Sequence, residues 1–177
     1  METLNTTTSN LVTGIFNDRD SAERAYTALQ NRGYKKDEIH LIMSDDTRKK
    51  HFAHETVTTE LGSKAMEGAG TGSAIGGTVG AIAAAVAAIG SNLLIPGLGL
   101  VVAGPLAAAL AGAGAGGLTG GIIGALIGSG IPKERAVVYE KGINEGHIVM
   151  GVEARDGLEA SEIENELRTH NAHEIHR

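Results

Sequence analysis

Cysteine is absent from the 177 residues, which excludes disulfides, thiolate nucleophiles and cysteine-held zinc and suits a reducing compartment as well as any other. Charge is missing more locally: the 21 acidic and 15 basic residues all lie outside Gly68 to Pro132. Aromatic residues avoid the same stretch, since Phe16, Tyr26, Tyr34, Phe52 and Tyr139 all lie outside it. Tryptophan is absent altogether. The opening METLNTTTSN has no basic region followed by an apolar one and no lipobox cysteine is available, so no export route is expected. With a formal net charge of -6 and no basic run longer than Arg48-Lys49-Lys50, the chain lacks the electrostatic footprint of a nucleic-acid binder.

Glycine, by contrast, is concentrated. Nineteen of the 26 glycines fall in the uncharged segment, so the chain is a composite of two charged flanks around an apolar insertion. The expected divisions are a disordered tail over 1–10, one half-domain over 11–45, a polar linker or helix over 46–67, a helical hairpin over 68–131 and a second half-domain over 132–177.

In the first flank, LVTGIFN from Leu11 to Asn17 has the β-branched and aromatic content of a strand. A helix follows, with Asp20 as N-cap, Glu23 three residues on, and Ala22, Ala25, Tyr26 and Leu29 on one face until Gly33 stops it. Ile39, Leu41 and Met43 then alternate along a second strand, Glu38 to Ser44. In the second flank, Pro132 opens a helix to about Glu145 with Ala136, Tyr139 and Ile143 on one stripe. A strand spans His147 to Ala154, and Ser161 with Glu164 caps a helix carrying Ile163 and Leu167. AHEIH forms a short last strand. Neither half has the apolar area to stand alone. Combined, they predict an α+β fold: a ferredoxin-like split βαβ domain with two helices on one face of its antiparallel sheet. The insertion, an antiparallel glycine-zipper α-helical hairpin, lies between strands 2 and 3.

The glycine spacing argues against a flexible linker. Gly68, Gly72, Gly76 and Gly80 form one GxxxG ladder, and Gly112, Gly116, Gly120, Gly124 and Gly128 form another. Ile75, Val79, Ile82, Val86 and Ile89 step at helical spacing beside the first. The ladders are mirror-related about Leu98, pairing 68 with 128, 72 with 124, 76 with 120 and 80 with 116, so small residues face small residues in antiparallel packing. Helices are predicted over Gly68 to Gly90 and Pro105 to Gly130, with Pro96, Gly97, Leu98 and Gly99 at the apex. Each arm, at roughly 1.5 Å per residue, is long enough for a hydrocarbon core of about 30 Å. The uncharged apex and the lack of Trp or Tyr at the arm ends argue against a plain two-pass anchor. The tip is expected to be buried, within a bilayer or against other copies. Both flanks share a compartment, which puts Lys64, Lys133 and Arg135 at the hairpin base on the cytoplasmic side.

LVTGIFNDRDSAERAYTALQNRGY with IHLIMSDDTRKKHF, and later GIPKERAVVYEKGINEGHIVMGVEA, resemble the bacterial general stress protein family of the YflT type, in the variant with a glycine-zipper insertion. The resemblance covers about residues 11 to 155, and the stretch from Gly130 to Gly146 is its most specific part. It implies a stress-induced bacterial protein without known catalysis and supplies no catalytic residues. The histidine-rich C-terminus is not part of the pattern.

His170, His173 and His176 are candidate metal ligands by residue type, but no carboxylate or thiolate completes a shell at fixed spacing, so no metal and no cofactor are expected. His51 and His54 lie in a polar linker. GAGAGG at Gly112 to Gly117 matches a dinucleotide fingerprint only through glycine density, and no P-loop or nucleophile elbow occurs. The arms carry too few polar side chains to line a conducting pore. The sequence therefore predicts a non-enzymatic, stress-associated structural protein that self-associates into a homo-oligomer and contacts membrane lipid. It would sit at the cytoplasmic face of the inner membrane, or in the cytoplasm as a soluble assembly. A water-soluble cage or filament with hairpins in its core is the alternative, and a ligand-sensing ferredoxin-like module the third. No nucleic acid or small-molecule substrate is implied.

Overall fold

The computed structural model describes residues 10–52, 93–95, 99–104, 114–128 and 130–177. In chain order these form β1 (Leu11–Phe16), α1 (Arg19–Asn31), β2 (Ile39–Ser44), α2 (Asp45–Phe52), β3 (Leu93–Ile95) and β4 (Leu100–Ala103). Then come α3 (Gly114–Gly128), α4 (Lys133–Asn144), β5 (Ile148–Glu153), α5 (Gly157–Thr169) and β6 (His173–His176). The strands make one six-stranded sheet in the order β3-β4-β2-β5-β1-β6, and every neighbouring pair is antiparallel. The fold class is α+β.

Side chains alternate across a strand, so each face of the sheet collects its own core. On one face Val12, Phe16, Leu41, Met43, Met150 and Val152 pack with Tyr26 and Leu29 of α1 and Ile163 and Leu167 of α5. On the other, Leu11, Ile15, Ile42, Val102 and Val149 pack with Tyr139 and Ile143 of α4 and with Ile122, Ala125 and Leu126 of α3. The sequence reading placed two helices on one face and assigned nothing to the other. Covering both faces explains why β1 is buried at all six positions and why its run LVTGIF is not a simple polar–apolar alternation.

The helix starts differ from expectation. Asp18, not Asp20, caps α1: its Oδ1 accepts the Ser21 N–H at 2.7 Å, leaving Asp20 in the first turn. Asp156, not Ser161, caps α5, accepting the Glu159 N–H at 2.8 Å. Ser161 lies inside that helix and donates its hydroxyl back to the Gly157 carbonyl at 3.0 Å.

The larger correction concerns the apex. Leu93–Ile95 and Leu100–Ala103 are strands, and β4 continues the domain's own sheet, with Leu41 opposite Ala103 and Ser44 opposite Leu100. Leu100, Val101, Val102 and Ala103 are buried beside β2, so these four residues belong to the sheet and not to a tip inside a bilayer or against other apices. The physical reason is the open edge of β2, whose N–H and C=O groups take up the nearest apolar hairpin. Gly104 ends β4 at φ +92 and passes so close to β2 that a Cβ there would collide with the Ile39 carbonyl oxygen. Pro96, Gly97 and Leu98 lie outside the described residues, as do the tail 1–9, the linker 53–67, the expected helix 68–90 and Gly112.

Of the second expected arm, Pro105 to Gly130, the helix spans Gly114–Gly128 and is kinked at Gly121 (φ 63, ψ -155). Over Gly114–Gly128, the described helical part of that arm, two half-helices replace one straight helix. Dense glycine makes the change inexpensive, since each lowers helix propensity by about 1 kcal/mol relative to Ala. α4 lies close to the sheet because Gly142 presents no side chain toward Ile15, against which a Cβ would collide.

Candidate functional site

β1 and β2 both run antiparallel to β5, so they end at the same edge of the sheet, where β4 and β5 begin. Five segments meet at that edge: the β1–α1 turn, α2, the start of β4, α3 through Ile122, and the α4–β5 turn. They enclose a cleft of about 590 Å³. Leu100, Ile122, Ile143 and Ile148 form its apolar floor, and Asn17, Asp46, Lys50, Asn144, Glu145 and His147 stand around it.

Part of the wall is fixed by internal bonds. Arg19 donates from Nη1 to the His51 carbonyl at 2.6 Å and lays its guanidinium 4.9 Å from the centre of the Phe52 ring, which ties α1 to α2. The Asp18 carboxyl is held below its usual range, chiefly by the Ser21 backbone N–H, and stays ionised as a helix cap. Burial, then Lys50 and Arg19, push the His51 imidazole below its usual value. Ser44 and Thr47 share a hydroxyl–hydroxyl contact of 2.8 Å, and Ser44 Oγ also accepts the Thr47 N–H at 3.1 Å. Ser44 Oγ thus caps the start of α2. The cleft offers charges of both signs around an apolar floor.

Spacing alone does not mark this site, because its lining comes from separate stretches between Asn17 and Ile148. One usable signal exists: Asn17-Asp18 and Asn144-Glu145-Gly146-His147 are polar turn residues at element ends, where ligands are commonly held.

The zipper positions are only partly in view. Gly68, Gly72, Gly76, Gly80 and Gly112 lie outside the described residues. Gly116, Gly120, Gly124 and Gly128 are in α3, with the kink at Gly121 falling inside their ladder. Beyond the kink, Ile122, Ala125 and Leu126 turn toward the core, Gly124 is half-buried, and Ile127 (42% exposed) and Gly128 turn outward. No helix among the described residues is long and apolar enough to cross a membrane.

The C-terminal histidines are dispersed. His170 places Nε2 3.2 Å from Glu166 Oε1, while His173 and His176 sit in β6 opposite Ile15 and Thr13 with a register shift between them. Among the described residues no group of three or more His, Asp or Glu side chains is placed to hold a metal ion. A histidine that the sequence reading passed over is more unusual: His40 on β2 is 1% exposed, and burial pushes its imidazole down to about 4. No family model, no curated protein and no solved structure matches the chain.

Proposed function

We propose that the chain is a non-enzymatic structural protein of the bacterial stress response that self-associates through its glycine-rich insertion. Its four flank strands run in the order β2-β5-β1-β6 with α1 and α5 on one face, and we read them as the ferredoxin-like split βαβ domain from which the insertion departs. The observation that carries the reading is the outward side of α3. Ile127 is exposed beside half-buried Gly124 and exposed Gly128, on a helix without a single charged residue, while its inner side is already docked on α4 and the sheet. Small residues flanking one apolar knob allow close approach of another helix, and a second copy supplies both the knob and the groove.

Because β4 is taken up by the sheet, residues 100–103 are not free to form a bilayer tip, and any contact with lipid falls to the rest of the insertion. This favours an assembly formed by protein–protein contact, in the cytoplasm or at the cytoplasmic membrane face. Light scattering coupled to gel filtration, paired with flotation on anionic vesicles, tests the reading. A particle larger than the monomer is expected, shrinking in Ile127→Glu and in Gly124→Leu. A protein that is monomeric at every concentration and does not float would overturn it.

A further inference from the structure

We propose that the cleft where β1 and β2 end binds a small apolar zwitterion, an amino acid or dipeptide with an aliphatic or aromatic side chain. This goes beyond the structural role and does not depend on self-association. The cleft volume of about 590 Å³ falls within the size range of small-molecule sites. Its floor of Leu100, Ile122, Ile143 and Ile148 takes an apolar side chain.

The rim sets the charge of the ligand. Lys50, in the last turn of α2, makes no hydrogen bond or ion pair among the described residues and offers an ammonium to a ligand carboxylate. α4 ends at Asn144 on the same lining, so the negative end of its dipole and the Glu145 carboxylate are available to a ligand ammonium. Among the described residues the Glu145 carboxylate has a loose 3.9 Å contact with Lys141 on the surface. The amides of Asn17 and Asn144 add neutral donors and acceptors.

A ligand of one sign fits less well. A simple anion meets the carboxylates of Asp18, Asp46 and Glu145, and a simple cation meets Arg19 and Lys50. Arg19 and Asp18 are already engaged in holding α1, which leaves Lys50 and Glu145 as the pair that reads the two ends of the ligand.

Calorimetric titration of the full chain with L-leucine, isovalerate and isoamylamine separates these cases. Leucine is expected to bind at least about tenfold tighter than either single-charge analogue. Lys50→Gln and Glu145→Gln are each expected to weaken leucine about tenfold, while Lys36→Gln, on the α1–β2 connection, leaves it unchanged. Both rim residues are exposed, so the substitutions leave the core intact. Equal affinity for an analogue, no saturable binding of leucine, or binding indifferent to both rim substitutions would each overturn the proposal. Leucine affinity unchanged in Ile127→Glu, whose side chain is 42% exposed on the outer side of α3, separates this site from assembly through that helix.

Discussion

The Thr13 and Tyr139 hydroxyls lie 2.7 Å apart inside the core between β1 and α4, and Tyr139 passes its own proton to the Glu174 carbonyl at 3.0 Å. Thr13 therefore donates to Tyr139, and the chain of bonds ends on β6. Glu174 adopts φ 50 at the register shift of that strand, and Arg135 of α4 holds its carboxylate at 2.8 Å. One buried tyrosine thus joins the two flanks and fastens the last strand. Tyr139→Phe leaves a hydroxyl and a carbonyl without their partner and is expected to cost about 1–3 kcal/mol in denaturant melts. Adding Thr13→Val should recover part of that loss. A double variant no more stable than Tyr139→Phe alone would show that the bond to Thr13 contributes little.

Gly104 and Gly33 share a left-handed backbone but differ in surroundings. At Gly33, φ +97, a Cβ meets nothing within 4 Å, whereas at Gly104 it meets the β2 backbone. Gly33→Ala is expected to cost about 1–2 kcal/mol, the strain of the conformation alone. Gly104→Ala should cost about 2 kcal/mol more and loosen β4 from β2, visible as faster amide exchange over residues 100–103. Equal costs would mean that β4 does not lie against β2 as described.

His40 gives the protein an acid-sensitive stability. Its folded pKa of about 4 lies below the ordinary 6.5, so the unfolded chain binds the proton more readily. Stability from this group is complete above pH 6.5 and is lost as pH falls toward 4, a total of about 3 kcal/mol. Glu153, 4.0 Å away, favours the charged form, but burial outweighs it. His40→Gln should flatten the stability curve across that window, and parallel curves for the two proteins would exclude His40 as its source. Below it, Asp18 and Asp45 add their own loss. Their carboxyls are held low by the Ser21 N–H and by Lys49 with Arg48 respectively, so their stabilisation persists above the unfolded value and disappears as pH drops through the folded one.

The capping assignments are separable by mutation. Asp18→Ala and Asp156→Ala are each expected to cost about 1 kcal/mol, and Asp20→Ala and Ser161→Ala less than about 0.5 kcal/mol, in urea melts. The reverse ranking would restore Asp20 and Ser161 as the caps.

What the sequence made legible follows from which forces are local. The stripes of α1, α4 and α5 are written at helical spacing, and the buried residues Tyr26, Leu29, Ala136, Tyr139, Ile143, Ile163 and Leu167 are the ones that spacing selects. The caps slipped because Asp18, Asp20 and Ser21 all have capping chemistry within four residues, and only the backbone decides among them. Leu93–Ile95 and Leu100–Ala103 are too short for a period-two pattern to stand out, and their partner β2 lies far away in sequence. Mirror symmetry of the glycines is the stronger signal in the sequence, where a short β-hairpin between the ladders has the same Pro and Gly signature as a helix break. The cleft stayed hidden for a related reason: its floor and rim come from segments that only the tertiary fold brings together.

Pairing of β4 with β2 also orders assembly in time. β5 stands between β1 and β2 in the sheet, so residues 11–44 contain two strands but no strand pair. In chain order the first strand able to pair with that half is β4, whose Leu100 lies opposite Ser44 and precedes Ile148. Residues 11–103 therefore hold a partner for β2 that shields one of its edges, whereas residues 11–44 hold none. The glycine-rich segment between the flanks thus carries the template on which the first of them begins to settle.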